Sequence, residues 1–282
     1  MPELPEVEVL ARHLDSVLSG KTIRAVKIHR AKSTRPTSAN SMCDRLEGAV
    51  FRGIGRRAKY LLFEIKTPRH EPFILLGHLG MTGRMYMQPA KIPLPKHTAV
   101  SLDLGRHTFV FEDTRYFGRM TLDKSPLEKL GPEPLSDAFC GRTLHESLRR
   151  TKQAIKPKLL DQALIAGVGN IYASEVLFRA RISPRKMARR LSRTQCNALA
   201  EVIREVLSEA IECGSTVPLD FAGQGARDGL FYYGSAPNAA GYEERLRVYD
   251  REGEPCGQCG APIRKIVQAA RSTYYCAKCQ RE

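Results

Sequence analysis

The chain is 282 residues long and 42% hydrophobic, enough for two cored domains and too apolar for a disordered tail. Its 45 Lys and Arg outnumber 30 Asp and Glu, a formal charge of +15 that points to a polyanionic partner, most simply nucleic acid. No apolar run reaches the ~20 residues of a membrane span, and the acidic start excludes a signal peptide, so a cytoplasmic, nucleoid-associated protein docked on no membrane is expected.

The chain opens Met1-Pro2-Glu3-Leu4-Pro5-Glu6-Val7-Glu8. Removal of Met1, usual before a small residue, would leave Pro2 as a terminal secondary amine. An α-amino group titrates near about 8, so part of it is a neutral nucleophile at pH 7. Glu3 and Glu6 lie close enough to move protons around that amine. The same residues equally suit an ordinary helix start, where the macrodipole favours acids and proline fits the first turn. Val7, Leu10, Leu14 and Leu18 then form a helical stripe over residues 6–18, and Gly20 is placed to end it.

Seven short β-rich segments follow, at 22–29, 49–53, 59–65, 73–76, 98–104, 108–112 and 119–122. Their alternation predicts an antiparallel sandwich or barrel, with surface loops at 31–41, 67–72 and 89–97. A Pro-rich stretch at 126–135 marks a linker. Beyond it the period turns helical, predicting helices at 143–150, 158–165, 171–180 and 192–213. Residues 216–241 read as a long Gly-rich loop, and 246–249 and 263–268 as strands of a small terminal module. The expected domains are therefore 2–125, 136–242 and 243–282, in an α+β chain.

Cys256-x2-Cys259 and Cys276-x2-Cys279 carry the strongest chemical signal. Two thiolate pairs at this separation fit one tetrahedral, structural zinc with no open position; disulfides are the alternative. The hairpin between them ends in Arg271-Ser272-Thr273, placed either to bind phosphate or simply to sit in solvent. Cys43, Cys140, Cys196 and Cys213 are scattered and expected as small buried hydrophobes. Gly167-Val168-Gly169-Asn170 joins two helical stretches, either as a phosphate-binding turn or as a plain turn with Asn170 as N-cap. Lys156 stands just upstream. In the first domain, glycines bracket Met81 in Gly77-His78-Leu79-Gly80-Met81-Thr82-Gly83-Arg84, as an apolar wedge for a base stack or as core. Asp113-Thr114-Arg115-Tyr116-Phe117-Gly118 offers a second apolar–cationic pair, and Arg56, Arg57 and Lys59 add charge.

Taken together, PELPEVE, HLGMTGR, DTRYFG, GVGNIYASE and RSTYYCAKCQ occur in one order, and with them the chain resembles the formamidopyrimidine-DNA glycosylase and endonuclease VIII family over nearly its whole length. The resemblance implies an N-terminal helix plus β-sandwich, then a helix-two-turns-helix domain ending in a zinc hairpin, working as a monomer on double-stranded damaged DNA. It implies Pro2 as nucleophile on C1′ and Glu3 as general acid, with Glu6 in support. Lys59, His78, Asn170 and Arg271 would grip phosphates, Lys59 and Arg271 within the catalytic set, and Lys156 would lie near the damaged base. Met81, Arg115 and Phe117 would fill the gap left by the flipped nucleotide and read the opposite base. The implied activity is a bifunctional glycosylase and abasic-site lyase.

Two departures bear on specificity. The purine-lesion branch of the family usually has proline where Thr114 stands and arginine where Tyr116 stands. Residues 216–241, with Phe231, Tyr232 and Tyr233, do not follow the usual lesion-covering loop and run longer. The Met81, Arg115 and Phe117 trio favours oxidised purines over the oxidised pyrimidines of the alternative branch. A third reading, a damaged-DNA-binding protein without catalysis, would follow from retention of Met1.

Overall fold

The computed structural model describes residues 2–68, 70–214 and 246–281. They form two compact units, one running to Glu128, the other from Lys129 to Cys213 and again from 246 onward. The expected loop at 216–241, with Phe231, Tyr232 and Tyr233, lies outside the described residues.

In the first unit, helix α1 (Leu4–Leu18) buries Val7, Leu10, Leu14 and Leu18 in the core, as its stripe requires. Two four-stranded antiparallel sheets provide most of the rest of that core. One is ordered β1 (Ala25–Ile28), β6 (Thr98–Asp103), β7 (His107–Asp113), β5 (Gly83–Pro89); the other β2 (Val50–Arg57), β3 (Tyr60–Lys66), β4 (Phe73–His78), β8 (Arg119–Thr121). Period-2 alternation turns Leu61, Phe63 and Ile65 of β3 inward. Phe63 meets Phe51 of β2 at 6.0 Å and Phe109 of the opposite sheet at 5.8 Å, so the sheets share one aromatic centre. Burial of each such ring is worth roughly 1.5–3 kcal/mol. The antiparallel sandwich behind an N-terminal helix is as expected.

Three local readings fail here. Residues 31–41 are no plain loop: helix α2 (Ala39–Leu46), capped by Ser38, buries Met42 and Leu46 one turn apart. Strand β5 carries no clean alternation, because Met85, Tyr86 and Gln88 are all buried, so its pattern did not register. It lies at a sheet edge, where its terminal Pro89 is tolerated. Cys43, Cys140 and Cys213 are only half-buried; Cys196 alone of the four is buried.

A short helix α3 (Ser125–Glu128) closes the first unit. The expected linker continues straight into the second: Gly131 donates to Gln162 O at 2.8 Å, and Arg204 donates to the carbonyls of Pro134, Ser136 and Phe139. Helices α4 (Gly141–Leu148), α6 (Asn170–Arg179) and α7 (Arg193–Glu212) lie within two residues of their predicted bounds. The helix expected at 158–165 is instead α5 (Ile155–Leu159). Side chains take over the main-chain partners beyond it: Asp161 Oδ1 accepts from Ala163 N at 3.0 Å, and Gln162 holds Gly167 N and Val168 O. A hairpin of β9 (Arg264–Gln268) and β10 (Arg271–Tyr275) ends the unit. The strand expected at 246–249 is absent, because the amides of Arg247, Val248 and Tyr249 all donate to the Glu175 carboxylate at 2.8–3.0 Å. Among the described residues, no helix is long and apolar enough to cross a membrane.

Candidate functional site

At the start of α1, Glu3 and Glu6 are 1% and 0% exposed. They close a capping box in which the Glu3 amide donates to Glu6 Oε2 at 2.7 Å. Two carboxylates are thus held in the first helical turn beside Pro2. The helix itself is pinned to β2. Glu8 accepts from the buried Arg56 guanidinium at 2.8 Å, and Asp15 accepts the Ile54 amide at 2.8 Å. Burial raises the Glu8 carboxyl, but Arg56 and Arg12 outweigh it and hold it below the usual range.

Lys59 and His78 come together across the β3–β4 ladder, where Tyr60 pairs with His78. Ala58 makes the β2–β3 turn at φ +52°, and Lys59 behind it is 8% exposed. The His78 ring packs on Tyr60 at 4.7 Å, and its Nδ1 accepts the Gly80 amide at 3.1 Å. Burial first, then the charges of Lys59 and Arg119, push its pKa down to about 4. The ring is therefore neutral near pH 7, with its proton on Nε2.

Met81 and Phe117 project from adjacent loops, 38% and 50% exposed, and the Arg115 guanidinium lies 4.8 Å over the Phe117 ring. Met81 is thus exposed on its loop and is no core residue. The loops touch backbone to backbone: a Cβ on Gly80, at φ +65°, would meet Gly118 N at 2.6 Å. Asp113, fully buried, holds both. It accepts from Thr82 Oγ1 at 2.5 Å, from Arg115 N at 3.1 Å and from Gly118 N at 2.7 Å. Sequence reasoning passed over Asp113; its signal was an acid placed ahead of a glycine-closed loop.

In the second unit, Lys156 is fully buried, and its ammonium donates to Asn170 Oδ1, Ser272 O and Thr273 Oγ1 at 2.7–2.8 Å. An ammonium has three protons, and these three acceptors take them. Asn170 begins α6 with Gly169 as its cap, so Asn170 is not the N-cap; its Nδ2 donates to Ser272 O at 3.0 Å. Lys156, Asn170 and the hairpin bearing the exposed Arg271 are thereby brought together. The Gly167 amide is spent internally on Gln162, so that part of the turn faces inward. Glu175 also went unnoticed, although an acid on an otherwise apolar helix demands partners. Burial raises its pKa despite the three amides it accepts.

The four sulfurs of Cys256, Cys259, Cys276 and Cys279 lie within 4.8 Å of one another, with cross pairs at 3.9 and 3.5 Å. A tetrahedron with bonds of about 2.3 Å to zinc has edges of about 3.8 Å. The residues fit that ion, and the Gln258 amide aimed at Cys256 Sγ from 3.4 Å suits a thiolate. One structural zinc belongs here. It staples the base of the hairpin that carries Arg271.

The geometry has counterparts. Residues 1–120 match the formamidopyrimidine-DNA glycosylase N-terminal domain, 130–220 the formamidopyrimidine-DNA glycosylase H2TH domain, and 253–281 the zinc finger found in FPG and IleRS. Over 287 residues the chain is 40% identical to formamidopyrimidine-DNA glycosylase from Escherichia coli, covering 100% of both. Among solved structures it is similar to Lactococcus lactis Fpg bound to DNA containing N7-benzyl-Fapy-dG, with 33% identity, TM-score 0.87 and both chains fully covered. It is likewise similar to Lactococcus lactis Fpg bound to DNA containing an oxidized pyrimidine, with 33% identity, TM-score 0.86 and both chains fully covered.

Proposed function

The chain belongs to the formamidopyrimidine-DNA glycosylase family, and from that premise we propose a bifunctional glycosylase and abasic-site lyase that removes oxidised purines (8-oxoguanine and formamidopyrimidines) from double-stranded DNA. The buried Glu3–Glu6 pair beside Pro2 carries this reading, since it supplies carboxylates where a terminal secondary amine would react. The protein acts as a cytoplasmic, nucleoid-associated monomer of the domains 2–125, 136–242 and 243–282.

The reaction begins with the damaged nucleotide turned out of the stack. The Pro2 nitrogen attacks C1′ as the glycosidic C–N bond breaks, and the base leaves protonated. Glu3 gives a proton to the ring oxygen, the sugar opens, and the nitrogen lone pair forms an iminium. That electron sink acidifies C2′; loss of its proton expels the 3′ phosphate, and a second elimination expels the 5′ phosphate. Water then releases Pro2. Neutral His78 offers Nε2–H to a phosphate, Lys59 and Arg271 offer charge, and Asn170 and Lys156 hold the hairpin in place. Met81, Arg115 and Phe117 fill the vacated stack, with Arg115 on the opposite base.

A preference for oxidised pyrimidines is the second reading, favoured by the relative bound to such DNA. Cleavage of duplexes bearing 8-oxoguanine, formamidopyrimidine, thymine glycol or an abasic site separates the two. The purine lesions should be cut fastest among damaged bases; a thymine glycol preference would install the second reading.

A further inference from the structure

Tyr116 stands between Arg115 and Phe117 at φ +54°, a left-handed conformation that a bulky residue rarely adopts. Its side chain is gripped from two directions. The Arg30 guanidinium carbon lies 4.7 Å from the ring centroid, and the hydroxyl lies 3.2 Å from His97 Nδ1, with the two rings edge-on at 6.1 Å. His97 is itself anchored, its carbonyl accepting the Asp113 amide at 3.0 Å. The Tyr116 carbonyl accepts from Arg119 Nη1 at 3.2 Å. A sparsely populated backbone conformation persists where its surroundings over-determine it, and such places cluster at functional sites. The turn at Tyr116 decides how its two exposed neighbours stand, and they stand with the Arg115 guanidinium over the Phe117 ring.

We propose that Tyr116, clamped by Arg30 and His97, is a positioning residue that holds Arg115 and Phe117 in one arrangement and thereby sets discrimination of the base opposite the lesion. This rests on the glycosylase reading. A guanidinium recognises base edges through a fixed fork of donors. Freed of the clamp, Arg115 would sample several directions and Phe117 would lose its partner, so wrong opposite bases would be accepted more readily. Arg30 contributes through its stack and is exposed. Arg30→Met therefore removes the cation without opening the core.

The experiment compares wild type with Tyr116→Ala, Tyr116→Phe and Arg30→Met by two readouts. The first is the change in 2-aminopurine fluorescence when protein binds a duplex with that base opposite a stable abasic-site analogue. The second is the ratio of kcat/KM for one lesion opposite cytosine and opposite adenine. Tyr116→Ala should lose much of the fluorescence change and narrow the ratio about tenfold, mainly by faster cutting of the disfavoured pair. Tyr116→Phe, which keeps the Arg30 stack, should recover most of both, and Arg30→Met should move both in the same direction as Tyr116→Ala but less. If Tyr116→Ala does not fold, Arg30→Met decides. Equal loss on both duplexes with a wild-type fluorescence response would overturn the proposal, as would a wild type with no opposite-base preference. A wild type that excises nothing removes the glycosylase reading alone, and the fluorescence comparison then still decides on Tyr116.

Discussion

The Gly80 amide donates to Nδ1 of His78 across 3.1 Å, which leaves the imidazole proton on Nε2. The same turn that presents Met81 thus also selects the tautomer of a residue two positions earlier. With burial and the nearby Lys59 and Arg119 charges, His78 titrates at about 4, so it is a neutral donor throughout the working pH range. NMR titration should show no His78 midpoint between pH 5.5 and 8; an ordinary midpoint in that range contradicts the assignment. In the unfolded chain it titrates near 6.5, so its contribution to stability is complete above 6.5 and is lost as pH falls toward 4. The loss amounts to at most about 3 kcal/mol.

Lys156 ties two helices to the hairpin through three acceptors. Lys156→Met keeps the volume but removes a donor shared by Asn170, Ser272 and Thr273. Ser272 O keeps the Asn170 amide, and the acceptors that lose their partner, Asn170 Oδ1 and the buried Thr273 Oγ1, cost about 1–3 kcal/mol each. Denaturant unfolding should show a loss of roughly 3 kcal/mol without additivity over the three bonds. A loss under about 0.5 kcal/mol, the ordinary spread of surface substitutions, would mean that the ammonium is not structural.

The zinc assignment predicts about one zinc per chain by elemental analysis, and Cys276→Ser should lose the metal together with DNA binding. Arg271→Ala should keep the metal, weaken binding and lower the salt slope by about one unit. An unchanged slope would remove Arg271 from the phosphate contacts.

Asp113 gathers three donors from both wedge loops. Asp113→Ala should therefore reduce the 2-aminopurine response at least as much as any single wedge substitution, at a stability cost of about 2–3 kcal/mol. A wild-type response in a folded Asp113→Ala protein would show that the loops hold their form without it.

Much of this was legible in the residues. The stripe from Val7 to Leu18, the alternation of Leu61, Phe63 and Ile65, and the cysteine spacing each carry a local period that tertiary packing did not override. What escaped depended on partners distant in sequence. Residues 246–249 look like a strand until Glu175 claims their amides, and β5 shows no alternation because Met85, Tyr86 and Gln88, on both of its faces, are buried. Asp113 and Tyr116 are single letters in a motif; only the folded loops show that one collects donors and the other sits at positive φ.

Glu3 and Pro2 should separate by substrate. Glu3→Gln should slow excision of a damaged base by about 100-fold or more, the usual contribution of a general acid. It should leave much of the cleavage at preformed abasic sites, where no base has to leave. Equal losses on both substrates would assign Glu3 to folding of α1.

The most direct measurement is borohydride reduction of the protein on an abasic-site duplex, followed by peptide mapping of the trapped adduct. The expected result is a covalent protein–DNA product whose cross-link lies on the N-terminal peptide at Pro2. An adduct on Lys156, or no adduct from a protein shown to start at Pro2, would contradict it.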